Sequence, residues 1–126
     1  MQWLVHGTLD AAVTESLKRH GHQTHALAEL PAHESPRDPR DLLKAAQTKQ
    51  WDIITNDAQL VQFIYDEKIW FNRSIVFLQL AGVGGGDVEQ DDAIDRLFTR
   101  YKRLTPGRLY TVTETRVKVR QLPSKM

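Results

Sequence analysis

Short apolar runs alternate along this chain with longer segments in which apolar residues recur every three or four positions. Runs of the first kind suit strands buried in a sheet, and the periodic segments suit helices with one apolar stripe. Trp3-Leu4-Val5 opens the series as a buried strand. Thr8 is placed to cap a helix in which Leu9, Val13 and Leu17 recur every four residues, and Gly21 to end it in a left-handed cap. His22 to Leu27 reads as a weak second strand. Asp38-Pro39 starts a second helix, an N-cap followed by proline at the first helical position, with Leu42, Leu43, Ala45 and Ala46 on its apolar face. Asp52 to Thr55 is a third strand, stopped by Asn56-Asp57, and Leu60, Val61 and Ile64 mark the helix that follows. Ser74 to Leu80 is the most apolar strand and suits coverage on both faces. Asp87 caps a long helix with Ile94, Leu97, Phe98, Tyr101 and Leu104 on one side, and Gln90 stands where a capping box needs it. Leu109 to Thr113 and Val117 to Leu122 alternate apolar and polar residues, the pattern of a half-exposed hairpin.

Strands alternating with helices predict βαβ units, hence a three-layer α/β fold with a mostly parallel central sheet and right-handed crossovers. The C-terminal β-hairpin is expected to extend one edge. Composition agrees with a single domain over 1–126: hydrophobic residues are 40% and charged residues 26%, an ordinary globular balance. The absence of cysteine excludes disulfides and thiolate metal sites and suits a reducing, cytoplasmic compartment. The opening Met-Gln-Trp-Leu-Val-His is too short an apolar run for a signal peptide, and no stretch approaches the roughly 20 apolar residues that span a bilayer, so no membrane partner is expected.

Net charge adds a second layer. Residues 1–95 carry 8 Lys+Arg against 15 Asp+Glu, a balance of −7, whereas residues 96–126 carry 9 against Glu114 alone, a balance of +8. Such a split fits a phosphate-binding face beside an acidic site, or two halves that neutralise each other across the fold. Arg100 and Arg103 follow the last helix, where they suit its dipole. Arg116, Lys118 and Arg120 alternate with Val117 and Val119, so they share a hairpin face that can track a nucleic-acid backbone, hold an acidic protein tail, or protect an edge.

In a parallel sheet, ligands bind where loops leave the carboxyl ends of strands. Three loops bring polar residues to that place: His6-Gly7-Thr8, Thr55-Asn56-Asp57, and the glycine-rich 81–87 segment. Asp57 suits an N-cap, Asp52 a solvated strand end, and Asp38 and Asp41 the cap and capping-box positions of the second helix. Grouped at strand ends near Asp52 and Asp57, these carboxylates are the hard oxygen ligands that Mg²⁺ and Mn²⁺ use.

Trp51-Asp-Ile-Ile-Thr-Asn-Asp57, the Arg-His-Gly-His close of the first helix (Arg19 to His22) and the closing Arg116-Val-Lys-Val-Arg-Gln-Leu-Pro123 resemble PIN-like domains. The resemblance is to the short PIN-like branch associated with toxins of toxin–antitoxin pairs and covers nearly the whole chain. It implies a divalent-metal-dependent ribonuclease with Mg²⁺ or Mn²⁺ as cofactor, RNA as substrate, and an antitoxin protein or a second copy as partner. Residue by residue, Asp57 matches the aspartate of the Thr-Asn-Asp turn, and Asp38 or Asp41 lies where the acid of the second helix is expected. Asp57, Asp38 and Asp41 are thus the candidate catalytic residues, with Asp57, Asp52 and His6 as candidate metal ligands. Family members usually carry an aspartate in the turn after the first strand, where this chain has His6-Gly7. Imidazole suits Mn²⁺ better than Mg²⁺, so the substitution implies either a moved metal preference or lost catalysis. The second outcome implies a catalytically silent module that binds RNA or a protein partner.

Two further motifs rank lower. Gly82-Val83-Gly84-Gly85-Gly86-Asp87 follows a strand and precedes a helix, yet matches no phosphate-loop or dinucleotide pattern, and Asp87, Glu89, Asp91 and Asp92 would repel phosphate there. His20, His22 and His25 lack a fourth zinc ligand and read as a solvated helix terminus.

Overall fold

The computed structural model describes residues 1–9, 11–29, 39–80 and 87–123. Strands β1 (Gln2–His6), β2 (Gln23–Ala26), β3 (Asp52–Thr55), β4 (Ile75–Leu78), β5 (Arg108–Val112) and β6 (Val117–Gln121) alternate with helices. These helices are α1 (Ala11–Arg19), α2 (Pro39–Thr48), α3 (Ala58–Asp66) and α4 (Asp87–Arg100), and a 3-10 turn covers Leu27–Glu29. One six-stranded sheet runs in the order β2-β1-β3-β4-β5-β6. The first five strands are parallel, and β6 returns antiparallel to β5 as the predicted hairpin edge. The expected three-layer α/β architecture is therefore present.

Register explains the layers. Leu4, Ile53, Ile75 and Leu109 stand side by side in one row, and Val5, Ile54, Val76 and Tyr110 in the next. Successive strand residues point to opposite faces. The first row packs with Leu42, Leu43 and Ala46 of α2 and with Leu60 and Ile64 of α3. The second packs with Val13 and Leu17 of α1 and with Ala93, Ile94, Leu97 and Phe98 of α4. Both faces are apolar because both are covered, which is why β3 and β4 read as unbroken apolar runs.

Three helices close in the same way. The His22 N–H bonds the Leu17 carbonyl, the Trp51 N–H that of Ala46, and the Ile69 N–H that of Ile64. The residue between adopts a left-handed conformation each time: Gly21 (φ +84), Gln50 (φ 60) and Lys68 (φ 51). This is the Schellman motif, which satisfies the last carbonyls of a helix. Gly21 ends α1 as its sequence predicts.

Two local expectations need correction. Thr8 is not adjacent to the start of α1, which begins at Ala11. Its N–H donates to Asn56 Oδ1 at 2.9 Å, and its hydroxyl accepts from Asn56 Nδ2 at 2.9 Å, so it ties two loops together. Nor do the crossovers share one hand. The connections through α1, α2 and α3 are mutually consistent, but β4–α4–β5 steps the same way along the sheet as β3–α3–β4 with its helix on the opposite face. It therefore has the opposite hand, an exception to a strong rule. Burial gives the reason. Val76, Leu78, Tyr110 and Val112 on that face are at most 3% exposed, and α1 alone would leave them uncovered. The Arg19–Asp91 ion pair and a hydrogen bond between His20 and Asp95 connect α4 to α1.

Candidate functional site

β1 lies between β2 and β3, and α1 leaves β1 toward one face while α3 leaves β3 toward the other. The carboxyl ends of β1 and β3 therefore meet at the topological switch point, where sheets of this kind form a ligand-binding crevice. His6 ends β1 and stands in register with Thr55, the last residue of β3. His6 Nδ1 lies 2.9 Å from the Thr55 hydroxyl, which also accepts the Asp57 N–H at 2.9 Å. Asp57 is the N-cap of α3, in extended conformation (φ −89, ψ 103), and its Oδ1 accepts the Gln59 N–H at 2.9 Å. Gly7 completes the turn with φ +92, and a Cβ there would collide with Asn56 Oδ1. Only glycine satisfies both demands.

Burial holds the His6 pKa below its ordinary 6.5, and the negative charge of Asp57 opposes that shift without overcoming it. The crevice thus presents a neutral imidazole beside a half-buried carboxylate. Thr55 engages Nδ1, so a further hydrogen bond to the ring would be made at Nε2.

Asp52, expected in the same crevice, lies at the other end of β3. It pairs in register with Trp3 and is 1% exposed. Its Oδ1 accepts the Ser74 N–H at 2.9 Å and the Ser74 hydroxyl at 2.8 Å, and its Oδ2 lies 3.2 Å from Arg73 Nη2. The four-residue β3 and the turn after it place the two aspartates at opposite ends of the sheet, up to roughly 16 Å apart along the chain. Asp52 is an internal ionic anchor, not a solvated strand end or a partner of Asp57. Asp41 is exposed in the first turn of α2. The neighbouring Arg40 pairs with Glu67, just beyond the C-terminal end of α3 and a helix length from Asp57. Asp38 and residues 81–86 lie outside the described residues.

Hard divalent cations take about six or more oxygen ligands or hold several waters on one or two carboxylates. Among the described residues no three of His, Asp, Glu or Cys converge to hold a metal ion. Among the described residues Asp57 and His6 supply one carboxylate and one imidazole, a donor set that suits Mn²⁺ more than Mg²⁺.

The basic residues also divide. Arg100 closes α4 and Arg103 follows it, on the face of α1 and toward the amino ends of the strands, where the Gly107 N–H meets the Arg73 carbonyl. Arg116 sits in the β5–β6 turn, near the opposite end. Lys118 and Arg120 stand in register with Thr111 and Leu109, hence on the face of α2 and α3. The Arg120 guanidinium lies 3.8 Å from the centre of the Tyr65 ring, and the Tyr65 hydroxyl donates to the Gln121 carbonyl at 2.9 Å. Arg120 lies over Tyr65 while remaining exposed. His6, Thr55, Phe77, Thr111 and Lys118 form one lateral row, which puts Lys118 about 19 Å from His6 across four strand spacings.

The three histidines diverge as well. His20 turns to Asp95, His22 stacks on Phe98, and His25 stacks on Trp51 at 4.0 Å. At the amino ends of the strands, Lys49 and Arg73 border a cavity of about 360 Å³ with Gln23 and Gln50. Asp52 and the C-terminal ends of α1 and α2 offset those cations. Sequence reasoning gave no role to Arg73-Ser74, whose only signal is a polar pair where the most apolar strand begins. It placed Thr55 in the candidate loop but gave no role to its hydroxyl, which contacts both His6 and the Asp57 N–H.

No family model matches the chain, and searches of curated proteins and of solved structures found no match. No helix among the described residues is long and apolar enough to cross a membrane.

Proposed function

We propose that the chain is a PIN-like module that binds RNA across the carboxyl ends of its central strands. The observation that supports this reading most is the lateral row running from the His6–Thr55–Asp57 cluster to Lys118, with the exposed Arg116 beyond it. Such a row offers hydrogen-bonding groups at one end and cations for the phosphate backbone at the other. Binding without hydrolysis is preferred because no three candidate ligands converge on a metal among the described residues. Asp52 anchors Arg73 and Ser74, and Asp57 caps α3. A second reading, the divalent-metal-dependent ribonuclease, is favoured by the pairing of Asp57 with a neutral His6 at the strand ends. No step is assigned to a metal on this donor set.

Fluorescence polarisation with a labelled single-stranded RNA tests the proposal. Affinity should fall as salt rises and fall further in Arg116→Glu and Lys118→Glu, with no change on adding a chelator. Cleavage that requires Mn²⁺ and is lost in Asp57→Asn would shift the assignment to the nuclease. Absence of RNA binding at low salt would overturn both.

A further inference from the structure

We infer that His22 is a pH-sensitive latch, which in its neutral form holds the start of β2 and the end of α4 against Trp3 of β1. Trp3 is fully buried, and its indole N–H donates to His22 Nδ1 at 3.2 Å. An indole nitrogen is a donor only, so this bond exists only while Nδ1 carries a lone pair. Neutral His22 therefore keeps its proton on Nε2. The same imidazole stacks on Phe98 of α4, with ring centres 4.7 Å apart and planes at 27°. It also meets the Trp3 ring edge-on at 6.2 Å, and Trp3 meets Phe98 at 6.5 Å. One ring thus joins β1, the turn after α1, and α4.

Protonation places a hydrogen on Nδ1, turns the acceptor into a second donor, and leaves a buried indole N–H without a partner. The surrounding charges act in both directions. Burial weighs most against the cation, followed by the amino terminus and His20, while Asp52 of β3 favours it. The face of Phe98 favours it too, and Asp95 of α4 is already engaged by His20. The balance keeps His22 below its ordinary 6.5, so the latch is closed at neutral pH and opens on acidification. On opening, Phe98 and the first residues of β2 lose the ring that joins them. The crevice at the carboxyl ends shares no residue with this cluster, so the inference is independent of the RNA reading.

The test is an NMR titration of the whole chain from pH 7.5 to 5.0, following the Trp3 indole N–H and the His22 ring carbons. Both should move together with one midpoint below 6.5, and amide exchange should accelerate at Gln23 to His25 in the same range. In His22→Asn, whose side-chain oxygen can accept at every pH, the Trp3 signal should no longer titrate. A Trp3 signal that stays constant in the wild type would overturn the latch, as would one that titrates unchanged in His22→Asn. If the variant does not fold, the wild-type ring alone decides. A His22 midpoint at or above 6.5 defeats the proposal, and one below it that coincides with the Trp3 shift sustains it.

Discussion

Asp52 and Asp57 stand five residues apart on one short strand and its following turn, yet they do opposite work. Asp52 faces the interior at the amino end, takes two hydrogen bonds from Ser74, and pairs with Arg73. Asp57 sits at the carboxyl end, half-buried, with one oxygen spent on the α3 cap and its charge felt by His6. A buried carboxylate must have its lone pairs satisfied, because burial without partners costs several kcal/mol or drives protonation. A carboxylate at a helix start can hold its place with one bond and keep the rest for a ligand. Chemistry available to a partner is therefore found where the fold leaves a charge incompletely compensated, not where acids are merely close in sequence.

The largest expected effect falls on the anchor. Asp52→Ala should lower stability by about 3 kcal/mol in urea unfolding, since it leaves Arg73 and the Ser74 donors without their partner. Retention of the wild-type midpoint would show that Asp52 is dispensable. Next comes the turn of the opposite region. Gly7→Ala should lose about 2–3 kcal/mol through its positive φ and the collision with Asn56, and the crevice should lose its ligand first. Asp57→Ala should be milder, about 1 kcal/mol for a lost N-cap, while any RNA binding or cleavage at the crevice changes more than stability does. An Asp57→Ala protein as unstable as Asp52→Ala would erase the contrast between the two sites.

The smallest effect is a dependence on pH. Because His6 titrates below its ordinary 6.5, the unfolded chain binds more protons in the window between the lowered value and 6.5. Stability contributed by neutral His6 is therefore complete above 6.5 and is lost as pH falls through the lowered value. Unfolding curves of wild type and His6→Gln measured across that window should converge at the acid end. Parallel curves would show that His6 is not held neutral by the fold.

Much of the architecture was legible in the order of residues. Apolar runs at Trp3-Leu4-Val5, Ile53-Ile54 and Ile75 to Leu78 specify strands covered on both faces, and Gly21 and Pro39 mark helix boundaries by their backbone preferences alone. The left-handed ends at Gln50 and Lys68 were not legible, because neither residue favours that conformation and only the closing hydrogen bonds reveal it. The crevice was partly legible. His6, Thr55 and Asp57 sit at strand ends where periodicity stops, and parallel pairing brings such ends together.

Local preference and hydrophobic period act over a few residues, so the sequence by itself determined which segments are strands and helices and which face of each is apolar. It also determined that Asp57 would open a helix beside the end of β3. Tertiary structure decided which end of the sheet each polar residue occupies, what stands across from it, and on which face α4 lies. These depend on partners far away in the chain: Ser74 and Arg73 for Asp52, Phe98 for His22, and the uncovered Val76, Tyr110 and Val112 for α4. A carboxylate carries no local mark of whether it will be paired, because the cost of burying its charge is settled only when the core closes around it.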